Sequence, residues 1–196
     1  MNNIIQLISK YPQYIEKRQY KAGKTIFLEN DTCLAVGVVK KGEISIKSYF
    51  SNGKEVTYNV LTDGQMFGNN LVFSSNPYYR GDVAAQKDTE IWLIKKDNLL
   101  EILKNDTEFL VAYLSEQSNF SKTLNLKLKL LTMQSAQDRL MYYLTFNKNK
   151  IAYKSITKLA DELYLTRESL SRTIKKLSDH KIIKTSNKTI TLMVEK

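Results

Sequence analysis

The sequence has very few of the residues that form covalent cross-links, metal sites and catalytic centres. Its 196 residues include one cysteine, Cys33, and one histidine, His180. A single cysteine excludes an internal disulfide bond. A single histidine offers no metal cluster and no base for a nucleophile, and the chain has no phosphate-binding glycine loop. We therefore expect a protein that is not an enzyme and that holds neither a metal nor a cofactor.

Long apolar runs are also missing. No segment approaches the roughly eighteen apolar residues that a membrane-spanning helix needs. The residues from Met1 to Gln6 do not combine a basic start with an apolar core, so the sequence predicts no signal peptide. We expect a cytoplasmic protein.

Positive charge is present in excess, and most of it lies in the last third of the chain. The net charge is +10, and residues 136–196, with 13 basic and 6 acidic residues, carry +7 of it. A basic terminal segment is the electrostatic footprint of a nucleic-acid-binding module. The charge distribution therefore points to DNA or RNA as a partner.

Residues 157–177 have the pattern of two short amphipathic helices joined by a tight turn. Thr166 is a favoured N-cap for the second helix, because its hydroxyl accepts a hydrogen bond from a free backbone N–H of the first turn. The apolar stripes, at helical spacing, consist of Leu159, Ala160 and Leu163 in the first helix and Leu170, Ile174 and Leu177 in the second. The exposed face of the second helix carries Arg167, Glu168, Ser171, Arg172 and Lys175.

This polar face suits the major groove of DNA. An Arg fork matches the O6 and N7 atoms of guanine, and a Glu accepts from the exocyclic amine of cytosine. Beyond the helix, Ile182–Ile183 and Ile190–Leu192 predict two short strands around a Ser186–Lys188 turn. Lys184 and Lys188 are then placed to meet phosphate. The pattern predicts a winged helix-turn-helix; the alternative is an ordinary helical hairpin with a solvated charged face.

The segment 135–196 resembles the C-terminal DNA-binding domain of the Crp/Fnr family of bacterial transcription regulators. Residues 167–172 contain two patterns of that family's recognition helix, Arg-Glu followed by Arg, and Glu-x-x-Ser-Arg. The resemblance implies binding to an inverted repeat of TGA-like half-sites in double-stranded DNA. The sequence departs from the family pattern at Tyr164, because the family usually has Gly in this turn. A left-handed conformation costs a bulky residue on the order of 1 kcal/mol, so either the turn differs or tertiary packing absorbs the cost.

Residues 24–94 alternate short β-rich runs with glycine-containing turns. Asn52-Gly53 between two such runs is a strong hairpin signal, and the regular spacing predicts a double-stranded antiparallel β-roll, or jelly roll. We assign this sensor domain to residues 1–105, which makes the fold class α+β. The segment resembles the effector-binding β-roll of the same family. The predicted strands are Thr25–Leu28, Val36–Val39, Ile44–Lys47, Val56–Val60, Val83–Ala85 and Ile91–Ile94.

One long helix is predicted between the two halves, from Asp106 to Thr132. Seven of its residues recur at alternating spacings of four and three, which is the heptad seam of two helices wound together. We assign residues 106–134 to dimerisation; the alternative is a helix that buries its leucines within its own domain. A capping box at Ser135–Asp138 predicts the start of the next helix, with a hinge just before it. The seam consists of Leu110, Leu114, Gln117, Ser121, Leu124, Leu128 and Leu131.

The candidate effector pocket departs from the family pattern. Members that bind cyclic nucleotides hold the ribose with a Glu that follows a Phe-Gly pair, and the phosphate with an Arg-Ser pair. Here Phe67-Gly68 is followed by Asn69 and Asn70, and an ungapped alignment places Tyr79 and Arg80 at the Arg-Ser positions. The Arg is one position out, and alternation in a strand would turn it to the other face. A shift of the loop by one residue would leave Arg80 available to an anion.

Other contacts and sensing chemistries of the family are also missing. The Thr-Ser pair that contacts the base becomes Leu124 and Asn125, so we expect no cyclic nucleotide binding. An iron–sulfur cluster needs about four thiolates, and His180 lies in the DNA-binding domain, away from any haem site in the roll. Cys33 beside an apolar residue is more often a buried small hydrophobe than a redox switch.

Together these features predict a homodimeric transcription regulator that binds an inverted-repeat operator. The resemblance implies RNA polymerase as a further partner and a small-molecule effector that the sequence does not identify. Regulation would bias two orientations of the DNA-binding domains about the hinge near Ser135. The alternative is a β-roll that binds small molecules or proteins without sequence-specific DNA readout.

Overall fold

The computed structural model describes residues 3–193. The chain forms two compact units, Met1–Asn119 and Phe120–Lys196, and each has a hydrophobic core of its own. Antiparallel sheets dominate the first unit and helices dominate the second. The predicted α+β class is confirmed.

Two four-stranded antiparallel sheets make up most of the first unit. Its strands are β1 (Glu16–Tyr20), β2 (Thr25–Phe27), β3 (Ala35–Lys41), β4 (Glu43–Tyr49), β5 (Glu55–Thr62), β6 (Met66–Phe67), β7 (Asp82–Ala85) and β8 (Thr89–Lys95). One sheet has the order β1-β8-β3-β6 and the other the order β2-β7-β4-β5. All six strands predicted from the sequence are therefore present, as β2 to β5, β7 and β8.

The two sheets share one hydrophobic core of buried β-branched and aliphatic residues. Val83 and Ala85 of β7 are buried while their neighbours are half-buried, which is the period-two pattern of a strand with one face in the core. On β4, Ile44 pairs with Ala85 and Ile46 with Val83. Val38 of β3, in the other sheet, belongs to the same hydrophobic cluster. This core fixes the positions of the loops at either end of the strands.

Three helices contribute buried residues to the hydrophobic core of the first unit. They are α1 (Asn3–Ile8), α2 (Lys96–Asn105) and the first part of α3 (Thr107–Thr132). Asp106 caps α3, because its carboxylate accepts a hydrogen bond from the Phe109 N–H at 2.9 Å. The Tyr11 hydroxyl donates to the same carboxylate at 2.7 Å, and both bonds hold the pKa of Asp106 below its usual value. The long helix begins where the sequence predicts.

The second unit combines helices with a small sheet. After the end of α3 come α4 (Ala136–Phe146), β9 (Lys150–Ala152), α5 (Ile156–Glu162), α6 (Arg167–Asp179), β10 (Ile183–Ser186) and β11 (Thr189–Leu192). The sheet order is β10-β11-β9, all antiparallel. Its core consists of Leu130, Leu140, Leu144, Ile151, Leu159, Ala160, Leu163, Leu170, Leu177, Ile183 and Ile190.

The start of α4 has the predicted capping contacts. The Ser135 hydroxyl oxygen accepts from the Asp138 N–H at 3.0 Å and the hydroxyl donates to the Asp138 carboxylate at 2.6 Å. The hairpin between β10 and β11 is tighter than predicted. Ser186 pairs with Thr189 inside the ladder, so the turn consists of Asn187 and Lys188, both with positive φ (45° and 57°). Such a two-residue turn matches the right-handed twist of a hairpin.

None of the helices within residues 3–193 combines the length and hydropathy needed to span a bilayer. Across the same residues, no group of three or more His, Cys, Asp and Glu side chains is placed to hold a metal ion.

Candidate nucleic-acid interface and effector region

The helix α6 is strongly amphipathic and begins at a well-formed cap. Leu170 and Leu177 are buried in the core of the second unit, and Ile174 packs against it. The Thr166 hydroxyl oxygen accepts from the Ser169 N–H at 3.1 Å, as predicted for the N-cap. The cap and the buried stripe fix which face of α6 points away from the core.

The side chains predicted to contact DNA lie on that outer face or on the hairpin. Within residues 3–193, the side chains of Arg167, Glu168 and Arg172 form no intramolecular ion pair. Their charges are therefore available to an external ligand. The exposed set comprises Thr166, Arg167, Glu168, Ser171, Arg172, Lys175, Lys184 and Lys188.

The strand β9, beside the hairpin, adds a basic residue that the sequence did not reveal. Lys184 pairs with Thr191 across β10 and β11, and Thr191 pairs with Lys150 across β11 and β9. Directly paired residues share one face of a sheet, and both lysines are exposed. Lys150 was not predicted because β9 is only three residues long and has no flanking hairpin signal. The outer face of this sheet is therefore more basic than the sequence indicated.

The turn between α5 and α6 keeps left-handed geometry despite its tyrosine. Tyr164 has φ +55°, and the adjacent Leu165 N–H donates to the Ala160 carbonyl at 2.9 Å. For a residue with a Cβ this conformation costs about 1–2 kcal/mol. Of the two explanations left open by the sequence, altered turn geometry is therefore ruled out.

A single arginine on α4 offsets that cost. Arg139 Nη1 donates to the Tyr164 carbonyl at 2.6 Å and to the Leu163 carbonyl at 3.3 Å. Its Nε and Nη2 donate to the Met133 carbonyl at 3.0 and 2.8 Å. One hydrogen bond from a charged donor contributes about 1.5–3 kcal/mol, which is comparable with the strain. Sequence reasoning missed Arg139, because its carbonyl partners in the turn lie 24 and 25 residues away.

The predicted seam on α3 is largely uncovered. Leu114, Leu124, Leu128 and Leu131 are between 53% and 61% exposed. Ser121 is also exposed, and Leu110 is half-buried. Exposed leucines at heptad spacing on one helix are the pattern of an unpartnered apolar stripe. The alternative was a helix that buries its leucines within its own domain. These four leucines are not buried in the chain, so the alternative does not account for them.

Gln117 interrupts this stripe for a reason internal to the first unit. Its Nε2 donates to the Asn69 carbonyl at 3.3 Å, and the Tyr113 hydroxyl donates to the same oxygen at 3.0 Å. Burial raises the pKa of Tyr113 to about 12, so the phenol stays a neutral donor. The Asn69 loop is thereby tied to α3 through its backbone, while Asn70 is exposed.

The two residues at the aligned phosphate position have opposite environments. Tyr79 is buried, and its ring stacks on Phe27 with centroids 4.7 Å apart. Arg80 is exposed, and its carbonyl accepts from the Ser48 hydroxyl at 3.1 Å. Arg80 therefore points to solvent, which is the orientation that strand alternation predicts for it. Leu124 and Asn125, the remaining candidates for the pocket, are exposed on the part of α3 that belongs to the second unit.

Cys33 is buried in the core of the first unit, which also contains Tyr79. Its Sγ contacts the Ala35 carbonyl at 3.4 Å and the Gly68 carbonyl at 3.6 Å. Burial raises the pKa of the thiol, which disfavours the reactive thiolate. These contacts match the prediction of a small buried hydrophobe.

The chain is similar to known proteins over its first unit and over most of its length. Residues 17–106 match the cyclic nucleotide-binding domain family. The chain is 26% identical over 134 residues to the cyclic AMP receptor protein of Thermus thermophilus, a match that covers 67% of this chain but only 60% of that protein. It is 26% identical over 185 residues to the probable transcriptional regulator flp of Lacticaseibacillus casei, covering 90% and 83% of the two chains.

A solved structure gives the same result for the fold. The crystal structure of the Thermus thermophilus catabolite activator protein superposes with a TM-score of 0.57 at 20% identity, over 96% of this chain and 90% of that one. Together these comparisons support a transcription regulator of the Crp/Fnr type.

Proposed function

We propose that this protein is a sequence-specific DNA-binding transcription regulator whose second unit is a winged helix-turn-helix. α5 and α6 form the helix-turn-helix, and the hairpin of β10 and β11 forms the wing. The observation that carries the proposal is the outer face of α6, where Arg167, Glu168 and Arg172 are exposed and have no ion-pair partner among residues 3–193. Arg and Glu in this arrangement can read guanine and cytosine edges in a major groove.

The wing and the charge of the second unit support the same conclusion. Lys184 and Lys188 are exposed on the hairpin, and phosphate contacts from such side chains fix the register of a protein on the duplex. The names of the relatives, a cyclic AMP receptor protein and a probable transcriptional regulator, agree with a regulatory role. RNA polymerase is the further partner that such a role implies.

We further propose that two copies pair through α3 and read an inverted repeat. The exposed stripe of Leu114, Leu124, Leu128 and Leu131 would be buried against the same stripe of a second copy. A two-fold axis between the copies presents the two α6 helices to symmetric half-sites. Residues 106–134 are the dimerisation segment in this proposal, and 135–196 the DNA-binding domain.

The first unit, residues 1–105, is the proposed sensor domain. Its match to a cyclic nucleotide-binding domain favours a small-molecule effector, whereas the buried stack of Tyr79 on Phe27 argues against a nucleotide phosphate at that position. Asn69, Asn70 and Arg80 are the polar residues that remain for another ligand. We propose an effector that does not require the Arg-Ser phosphate contact.

Selection of duplexes from a random pool tests the proposed function directly. The purified chain, with and without a small-molecule extract of cells, should enrich an inverted repeat with TGA-like half-sites. An effect of the extract on enrichment would support a sensor role for the first unit. A pool that stays random under both conditions, at low salt, would contradict DNA readout and favour a small-molecule or protein interaction module.

A further inference from the structure

One side chain joins the segment after α3 to the turn before α6. The guanidinium of Arg139 donates to the carbonyl of Met133, which directly follows α3, and to the carbonyls of Leu163 and Tyr164 in the turn. All four hydrogen bonds lie within the second unit. A planar fork with fixed donor directions holds its acceptors in a fixed relation to one another.

The geometry at Tyr164 decides where α6 begins. Tyr164 is held at φ +55°, and the N-cap Thr166 follows two residues later. A change of Tyr164 to the ordinary negative φ would turn its carbonyl away from Arg139. The same change would redirect the chain into Thr166, and with it the first turn of α6, which carries Arg167 and Glu168.

We propose that Arg139 is a positioning residue for the recognition helix, acting by holding Tyr164 in the left-handed conformation. The proposal rests on the proposed DNA-binding function of α6. In this proposal Arg139 acts on the turn and not on DNA, because four of its five N–H donors are committed to three carbonyls of its own chain. Arg139 also donates to the Met133 carbonyl in the linker between α3 and α4. The same side chain therefore connects this linker to the turn before α6.

A double-mutant cycle between Arg139 and Tyr164 tests this role. Arg139→Met removes the donors and should weaken binding to the selected duplex about tenfold, because the apparent affinity falls with the fraction of chains whose turn is competent. Arg139→Lys keeps the charge but lacks the fork, and should behave more like Arg139→Met than like the unaltered chain. Tyr164→Gly alone should bind nearly as tightly as the unaltered chain, because glycine adopts positive φ without strain.

The decisive variant combines both changes. Since Gly at 164 no longer needs the guanidinium, Arg139→Met with Tyr164→Gly should recover most of the affinity that Arg139→Met loses. If the double variant binds as weakly as Arg139→Met, Arg139 does not act through Tyr164 and the proposal is wrong. If Arg139→Lys binds as tightly as the unaltered chain, the charge and not the fork is responsible, and the proposal is again wrong.

Amide hydrogen exchange without DNA provides a readout that does not depend on the proposed function. The Tyr164 and Leu165 N–H groups donate to the Asp161 and Ala160 carbonyls, and both should exchange faster in Arg139→Met and regain protection in the double variant. Unchanged exchange in Arg139→Met would overturn the proposal. If no variant, including the unaltered chain, binds any duplex while exchange follows this pattern, the proposed function fails and the control of the turn by Arg139 stands.

Discussion

Tyr79 lies against Phe27 in the interior of the first unit, with the two rings nearly parallel at 12° and their centroids 4.7 Å apart. The phenol is only 3% exposed, and burial, with smaller contributions from neighbouring groups that include Cys33, raises its pKa far above the ordinary value. The position that the family resemblance assigns to a phosphate-binding arginine is therefore occupied by a neutral aromatic ring. The cation next to it, Arg80, faces solvent.

We predict that cyclic AMP and cyclic GMP neither bind nor change the affinity for DNA at physiological concentrations. A phosphate held at Tyr79 would be buried without a cation, at a cost of several kcal/mol. Asn69 in place of a carboxylate also cannot make a charge-assisted hydrogen bond to a ribose hydroxyl. Calorimetric titration of the purified protein measures both nucleotides directly. A dissociation constant in the low micromolar range, abolished by Arg80→Ala, would show that Arg80 reaches the phosphate after all.

A second prediction concerns the packing of Gly37 against Phe67. The two residues are paired across β3 and β6, and a Cβ added to Gly37 would overlap the tip of the Phe67 ring. Gly37→Ala should lower the free energy of unfolding by about 1–3 kcal/mol or more, as overpacking does. Phe67→Leu shortens the opposing side chain, so Gly37→Ala should cost less in that background. Denaturant unfolding gives both values, and strict additivity would show that the two residues do not share this contact.

Local signals predicted much of this molecule. The caps at Ser135 and Thr166 depend on residues three positions apart, and the strands of the roll depend on alternation and Asn-Gly turns. Glu16–Tyr20 escaped prediction because β1 is polar and pairs on one side only, with β8. The contact of Arg139 with Tyr164 joins residues 25 positions apart, so no local pattern encodes it. The sequence identified the strain at Tyr164, and only the fold reveals how that strain is offset.

The third prediction is that the chain is a dimer through the α3 seam. Leu124→Asp with Leu128→Asp should give monomers in sedimentation equilibrium, because like charges would face each other across an apolar interface. Both leucines are more than half exposed in the single chain, so their replacement leaves the hydrophobic cores intact. DNA affinity should fall with dimerisation, since each half-site alone binds weakly.

Ser115→Asp with Ser118→Asp is the matched control for the seam. It adds the same two charges to exposed positions of α3 that are not among the seven seam positions. We expect this control to remain dimeric and to bind DNA. If the leucine variant stays dimeric as well, the interface lies elsewhere on the chain.

The last prediction separates base readout on α6 from phosphate contact on the wing. Arg167→Ala or Arg172→Ala should lose about 1–3 kcal/mol of discrimination at one base position, because each removes a donor fork from a single base edge.

Lys188→Asn should instead weaken binding to all sequences about equally and reduce the salt slope of binding by about 1. Asparagine is the appropriate replacement there because Lys188 has φ +57°, which Asn tolerates better than most residues. Binding to the selected duplex and to its single-base variants, at several salt concentrations, measures both effects. If the arginine and lysine variants weaken specific and random DNA to the same extent, α6 is not the recognition helix.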